Sequence, residues 1–163
     1  MMGARNPHLR NSAWQGATVT ASAGDFSTIA LYNNSIGDRL LVVHHLEASV
    51  GAAALISFAI VQGQLGTVSG TPINVTSGQP QLTGQLSTAS STALPSPSYN
   101  VRLQTTVPWL WPHEYPFAVL TPGWSLAIYH NTAAAQLWGS FYWEAVQADL
   151  YWQFLENFEE NRQ

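Results

Sequence analysis

Short runs of Val, Ile, Thr and aromatic residues, cut every few positions by Gly, Pro, Asn or Ser, fill this chain up to residue 146. Such runs suit a pleated, half-buried surface, and the breakers between them supply turns. Helix formers in a 3.6-residue period are scarce over the same span. The chain is thereby confined to antiparallel β architecture. Strands are predicted at 17–21, 26–33, 39–50, 55–62, 101–107, 117–120, 124–130 and 136–146. Eight or so strands in one domain predict an all-β fold, an antiparallel β-sandwich of jelly-roll type, with a barrel as the competitor.

Period-two alternation assigns the faces. In 39–50, Leu40, Val42, His44, Leu46, Ala48 and Val50 share one face, opposite His45, Glu47 and Ser49. Ile56, Phe58 and Ile60 share another, as do Trp124, Leu126 and Ile128. Residues 130–135 read as a hairpin loop. The last strand sets Leu137, Phe141 and Trp143 against Trp138, Tyr142 and Glu144, so its outer side is expected to be covered too.

Charge is the second constraint. Only 9% of the 163 residues are charged, every cation is Arg, and the net charge is -4. Nucleic-acid binders normally present a basic face, so nucleic acid is not an expected partner. Between Glu47 and Arg102, fifty-four consecutive residues carry no charge. A surface built from them keeps a free monomer apart from its neighbours poorly, which points to contact with another protein. No Cys is present, so neither disulfides nor thiolate metal sites contribute. The longest apolar run, near 50–61, is too short to cross a bilayer, and no membrane association is expected. No apolar stretch accompanies Arg5 and Arg10 near the start, so no secretory leader is expected either.

Four regions follow: an N-terminal arm at 1–14, a sandwich at 15–146, a long neutral insert within it at 63–100, and a tail at 147–163. The insert mixes Gln, Asn, Ser, Thr, Gly and Pro with isolated aliphatics at Leu65, Val68, Ile73, Val75, Leu82, Leu86 and Leu94. Thirty-eight structureless residues inside a domain would be unusual. The insert either projects, with a short hairpin near 73–76, or folds over a neighbouring subunit. The second is favoured, and deleting it should leave a folded chain that no longer assembles. In the tail, Val146, Leu150, Phe154 and Phe158 fall four apart, which predicts a helix docked on its own sandwich or inserted into a partner. The arm with Arg5 and Arg10 is a candidate to dock on an acidic neighbour.

Catalytic chemistry finds little support in the residue pattern, and no enzyme is expected. Of five His, only His44-His45-x-Glu47 clusters, and adjacent strand residues point to opposite faces. Convergence of His45 and Glu47 with His113 or His130 would make a metal site, but a hydrogen-bonded strand histidine is the plainer reading. No G-x-S-x-G elbow or phosphate loop occurs, and Glu114 with Glu144 is the one plausible carboxylate pair. No cofactor is expected. The sequons at Asn33 and Asn74 read as chance.

The segment 108–117 is the most concentrated feature. Pro108, Pro112 and Pro116 forbid a helix and a central strand. If extended, Trp109, Trp111, His113, Tyr115 and Phe117 share a face. That ledge is a plug for the open end of the sandwich, a protein interface, or a platform for stacking sugars.

The run Leu120-Thr121-Pro122-Gly123-Trp124-Ser125-Leu126, followed by a hairpin and Phe141-Tyr142-Trp143-Glu144, resembles small virion proteins of tailed bacteriophages. Asp38-Arg39-Leu40-Leu41-Val42-Val43 after Tyr32-Asn33-Asn34-Ser35 is similar to the second strand pair of that group. The resemblance spans about two-fifths of the chain. It implies a capsid-decorating (cement) or head accessory protein, without catalytic residues, in the virion after assembly in the host cytoplasm. Its expected partners are two further copies of itself, as a homotrimer, and the major capsid protein. Interface residues would be Arg5, Arg10, Leu65, Val68, Ile73, Val75, Leu82, Leu86, Trp109, Trp111, Tyr115, Phe154 and Phe158. The competing expectation is a carbohydrate- or host-receptor-binding module of a fibre or tail, using Trp109, Trp111 and Tyr115.

Overall fold

The computed structural model describes residues 12–75, 83–96, 99–104, 107–111, 115–149 and 151–153. Among these, twelve strands form two antiparallel sheets: β1 (Ser12–Thr20), β2 (Phe26–Tyr32), β3 (Arg39–Val50), β4 (Ala54–Gln62), β5 (Thr67–Val68), β6 (Ile73–Asn74), β7 (Gln85–Ser91), β8 (Tyr99–Leu103), β9 (Trp109–Leu110), β10 (Ala118–Leu120), β11 (Trp124–Ala133) and β12 (Gln136–Gln147). Sheet A runs β10-β3-β12-β1-β6, with β9 also on β3, and sheet B runs β5-β7-β2-β11-β4-β8. The strand pairs nest: β1 with β12, β2 with β11, β3 with β10 and β4 with β8. Two further pairings, β12 with β3 and β11 with β4, join these ribbons into sheets.

One apolar core lies between the layers. Ile29, Leu31, Ile56, Phe58, Leu86, Leu126 and Ile128 come from sheet B; Leu41, Val43, Leu46, Leu137, Phe141 and Trp143 come from sheet A. Full burial of such side chains contributes about 1.5–3 kcal/mol each before conformational entropy is subtracted. Opposite Ile29 and Ile128, sheet A places Gly139, where a Cβ would come within 3.0 Å of Ile128 Cδ1.

The faces of β3 differ from strict alternation. Tyr142 pairs with His45 but Trp143 pairs with Val43, so His44 is an extra residue in a β-bulge. The bulge reverses the parity of everything before it. Leu41 and Val43, not Leu40 and Val42, therefore face the core, in step with Leu46, Ala48 and Val50. Leu40 and Val42 turn outward and are covered by Val119, Val146, Ala148 and Tyr151. That cover includes the start of a short helix whose described residues are 148, 149 and 151–153. Val146 belongs to β12, where it pairs with Leu40, so the helix begins two residues later than the period suggests. Its described part docks on its own sheet; Phe154 and Phe158 lie outside the described residues.

The described residues of the insert at 63–100 are built into the sandwich and do not form a free loop. β5 and β7 extend sheet B beyond β2, and β6 extends sheet A beyond β1. After β7 the chain returns to β8 on the far side of sheet B, and on the way Leu94 packs on that sheet's outer face. A row of small residues makes room there: Ala30, Ala127 and Ala59 are cross-strand partners on β2, β11 and β4. Leu65 joins the same cover. At Gly66 the backbone is left-handed (φ 68°) and a Cβ would strike the Thr88 carbonyl, so only glycine fits.

Side chains of the sandwich bond the insert's main chain. Gln15, 7% exposed, donates through Nε2 to the Ser69 carbonyl and accepts the Leu86 N–H at 3.4 Å. Trp143 Nε1 donates to the Thr83 carbonyl at 3.0 Å, and Asn34 Oδ1 accepts the Gly84 N–H at 2.7 Å.

Candidate functional site

Two surfaces stand out. The first comprises exposed apolar side chains from the uncharged stretch of the sequence. Leu55, Ile60, Val68, Ile73, Val75 and Tyr99 are each 42–57% exposed, and all fall between Glu47 and Arg102. Ile73 and Val75 adjoin the exposed Trp14, since Trp14 pairs with Ile73. These exposed side chains fall in two groups: Val68, Ile73 and Val75 lie with Trp14 on or beside the β5 and β6 edges, while Leu55, Ile60 and Tyr99 lie on β4 and β8 at the opposite side of sheet B, where Leu55 pairs with the charged Arg102.

The second is the outer face of sheet A, whose side chains stand in rows set by register. Ile73, Trp14, Tyr142 and His45 make one row, at the bulge. Gly16, Ser140 and Glu47 make the next, and Thr18, Trp138 and Ser49 the one after. The bulge brings both histidines to this face. His45 stacks on Trp14 (centroids 6.0 Å, planes 19° apart), while His44 lies beside Tyr142 and places Nε2 3.2 Å from Glu144 Oε2. This correction to opposite-facing histidines follows from the extra residue, which interrupts alternation. Partly exposed as it is, the His44–Glu144 pair contributes at most ~1 kcal/mol. The smaller middle row leaves a trough of ≈ 490 Å³ lined by Gly16, Thr18, Glu47, Ser49, Ser69, Trp138 and Ser140.

His130 belongs to the other sheet, is 3% exposed, and accepts the Thr132 N–H on Nδ1 at 3.0 Å. Burial lowers its pKa, with the Thr132 bond opposing. It does not meet His45 or Glu47. His113 and Glu114 lie outside the described residues, and among those described no three His, Asp or Glu come together to hold a metal ion.

The aromatic segment divides. Trp109 and Trp111 turn inward with Phe117 against Phe58 and Tyr99, with Phe58–Trp109 centroids 4.8 Å apart and Trp111–Phe117 centroids 5.1 Å apart. β9 pins this plug to β3 through Ala48 and Trp109. Tyr115 is left outside, 63% exposed, its carbonyl accepting from Trp111 Nε1 at 3.0 Å. Trp109, Trp111 and Tyr115 thus form no common ledge, and the sugar platform expected there is withdrawn. Beside the plug an apolar crevice of ≈ 240 Å³ opens between the sheets at Ile60 and Leu126.

Of the other expected interface residues, Val68, Ile73 and Val75 are exposed and Leu65 is half-buried on its own sheet. Leu86 is fully buried in the chain's own core, because the neighbour expected to cover it is β2 of the same chain. Arg5, Arg10 and Leu82 lie outside the described residues. Trp138 and Glu47, which line the trough, were legible only as outward strand residues; their neighbourhood depends on pairing three strands distant in sequence. Among the described residues no helix is long and apolar enough to cross a membrane. Asn33, the first sequon, is fully buried with its amide bonded at both ends, and Asn74 is 6% exposed.

Comparison with protein-family models, with curated proteins and with solved structures finds no match for this chain.

Proposed function

We propose that this chain is a non-enzymatic structural protein of a bacteriophage virion, which decorates or cements the capsid as a homotrimer by binding neighbouring subunits. The observation that carries the reading is the exposed apolar group of Val68, Ile73 and Val75, beside Trp14 at the β5 and β6 edges and drawn from a stretch of chain without charge. Exposed apolar area of this kind marks a contact surface. The nested pairing of β1–β12, β2–β11, β3–β10 and β4–β8 supports reading the sandwich as a jelly roll, an architecture used by viral capsid and lectin domains.

On this reading the sandwich is a rigid block, and the insert's role changes from an arm reaching across to a neighbour into the wall that presents Val68, Ile73 and Val75. Each modest patch buried contributes at roughly 25 cal/mol per Å2, less the cost of association. The partners are other copies of the chain and the major capsid protein, in the virion, with neither nucleic acid nor membrane involved. Mass spectrometry of purified virions, together with co-sedimentation of the protein with assembled shells, tests it. Presence in the particle and saturable shell binding are expected; absence from both would reject the reading.

A further inference from the structure

We propose that the trough on the outer face of sheet A is a binding site for a neutral saccharide, with one pyranose ring stacked on Trp138 and its hydroxyls held by Glu47, Ser140 and Thr18.

The trough has the parts such a ligand needs. Trp138 is half-buried, and a Cβ on Gly51 would meet its Cζ3 and Cη2 at 3.8 Å, so the indole leans over the β3–β4 turn. An aromatic face offers a large apolar contact of fixed geometry to the C–H side of a sugar ring. One row away, Ser140 Oγ lies 3.4 Å from Glu47 Oε2, setting a carboxylate acceptor beside a hydroxyl. Thr18, Ser49 and Ser69 add hydroxyl groups around the same space. A hydroxyl both donates and accepts, and a carboxylate accepts twice or more, which suits a polyol. Gly16 contributes no side chain, and a Cβ there would reach only an ordinary 3.5 Å contact with Ser140, so the floor stays open without strain.

Charge narrows the ligand class. Among the described residues, Glu47 is the one charged residue lining the trough. The two described cations lie elsewhere: Arg39 at the far end of β3 and Arg102 on sheet B. Phosphates and acidic sugars would meet the Glu47 carboxylate without a counter-charge. The volume of ≈ 490 Å³ falls within the ~300–1,000 Å3 usual for small-molecule sites. This site is separate from the plug at Trp109, and its middle row lies next to the row of Trp14 and Ile73.

The test is an array of oligosaccharides ending in neutral hexoses or N-acetylhexosamines, with sialylated members as the charged arm. Titration with free methyl hexopyranosides, followed by tryptophan fluorescence, distinguishes a single-ring site from one needing a polymer. Binding to neutral members is expected. Trp138→Ala should weaken it by roughly tenfold, the factor made by about 1.4 kcal/mol of lost stacking. Gly16→Val fills the trough with a good strand former and should abolish binding while leaving the thermal melt intact, which covers the case of Trp138→Ala failing to fold. Tyr115→Ala should bind as the parent does. No neutral glycan above background, preference for sialylated members, or binding unchanged by Gly16→Val would overturn the assignment.

Discussion

Trp143 donates its indole N–H to the carbonyl oxygen of Thr83, at 3.0 Å, and so ties the largest fully buried side chain of the core to the return of the insert. The next residue, Gly84, has φ +88°, and a Cβ on it would fall 2.5 Å from Trp143 Nε1. The core and the insert are therefore one cooperative unit.

Gly84→Ala should cost about 2 kcal/mol or more, since it adds both overpacking and left-handed strain. Chemical denaturation of the variant beside the parent measures it. Deleting 64–98 removes β5, β6 and β7 and uncovers Trp143 and Ala30, so loss of the cooperative transition is expected, not a folded chain that merely fails to assemble.

Asn33 joins two turns that are far apart in sequence. Its Nδ2 donates to the carbonyls of Arg39 (2.9 Å) and Leu120 (2.8 Å), and its Oδ1 accepts from Ser35. Asn33→Ala leaves both carbonyls without that donor, at a cost of about 2–4 kcal/mol by urea titration. The same bonds occupy the amide, so expression in a glycosylating host should leave Asn33 unmodified, as mass spectrometry of the tryptic peptide would report.

Ala134 closes the β11–β12 hairpin in a left-handed conformation (φ 53°), its N–H bonded to the Asp25 carbonyl at 2.8 Å. Ala134→Gly relieves that strain and should stabilise the fold by roughly 0.5–1 kcal/mol, less the extra freedom gained by the unfolded chain.

His130 sets a pH dependence. Burial lowers its folded pKa below the ordinary 6.5, so the unfolded chain binds the proton more readily. Its contribution is at full strength above 6.5 and is lost as pH falls from there toward the lowered folded value. The difference in stability between the parent and His130→Gln, measured between pH 7.5 and 5, should shift against the parent as the pH drops; a constant difference would refute the burial effect.

Much of the sandwich is written locally. β3 begins and ends where Arg39 and Val50 predict, and the breakers around 51–53 and 121–123 fall between strands. The bulge at His44 is not local, because an extra residue is visible only against the partner strand, so Leu41 and Leu40 exchanged faces. β7, Gln-Leu-Ser-Thr-Ala-Ser-Ser, has one large apolar residue and gains strand form from pairing with β2. In sequence Trp109 and Trp111 fit a plug best, with interface and platform as alternatives, and their packing with Phe117 and with Phe58, distant in sequence, is not visible there. The trough at Trp138 was hidden for the same reason: its walls come from β1, β3 and β12.

The mass of the purified chain in solution, by light scattering, tests the assembly reading most directly. The mass of three 17.8 kDa chains is expected. Val68→Glu with Ile73→Glu, both at exposed positions, should reduce it while leaving the fold intact. A single-chain mass for the parent at every salt concentration, with no binding to assembled shells, would contradict it.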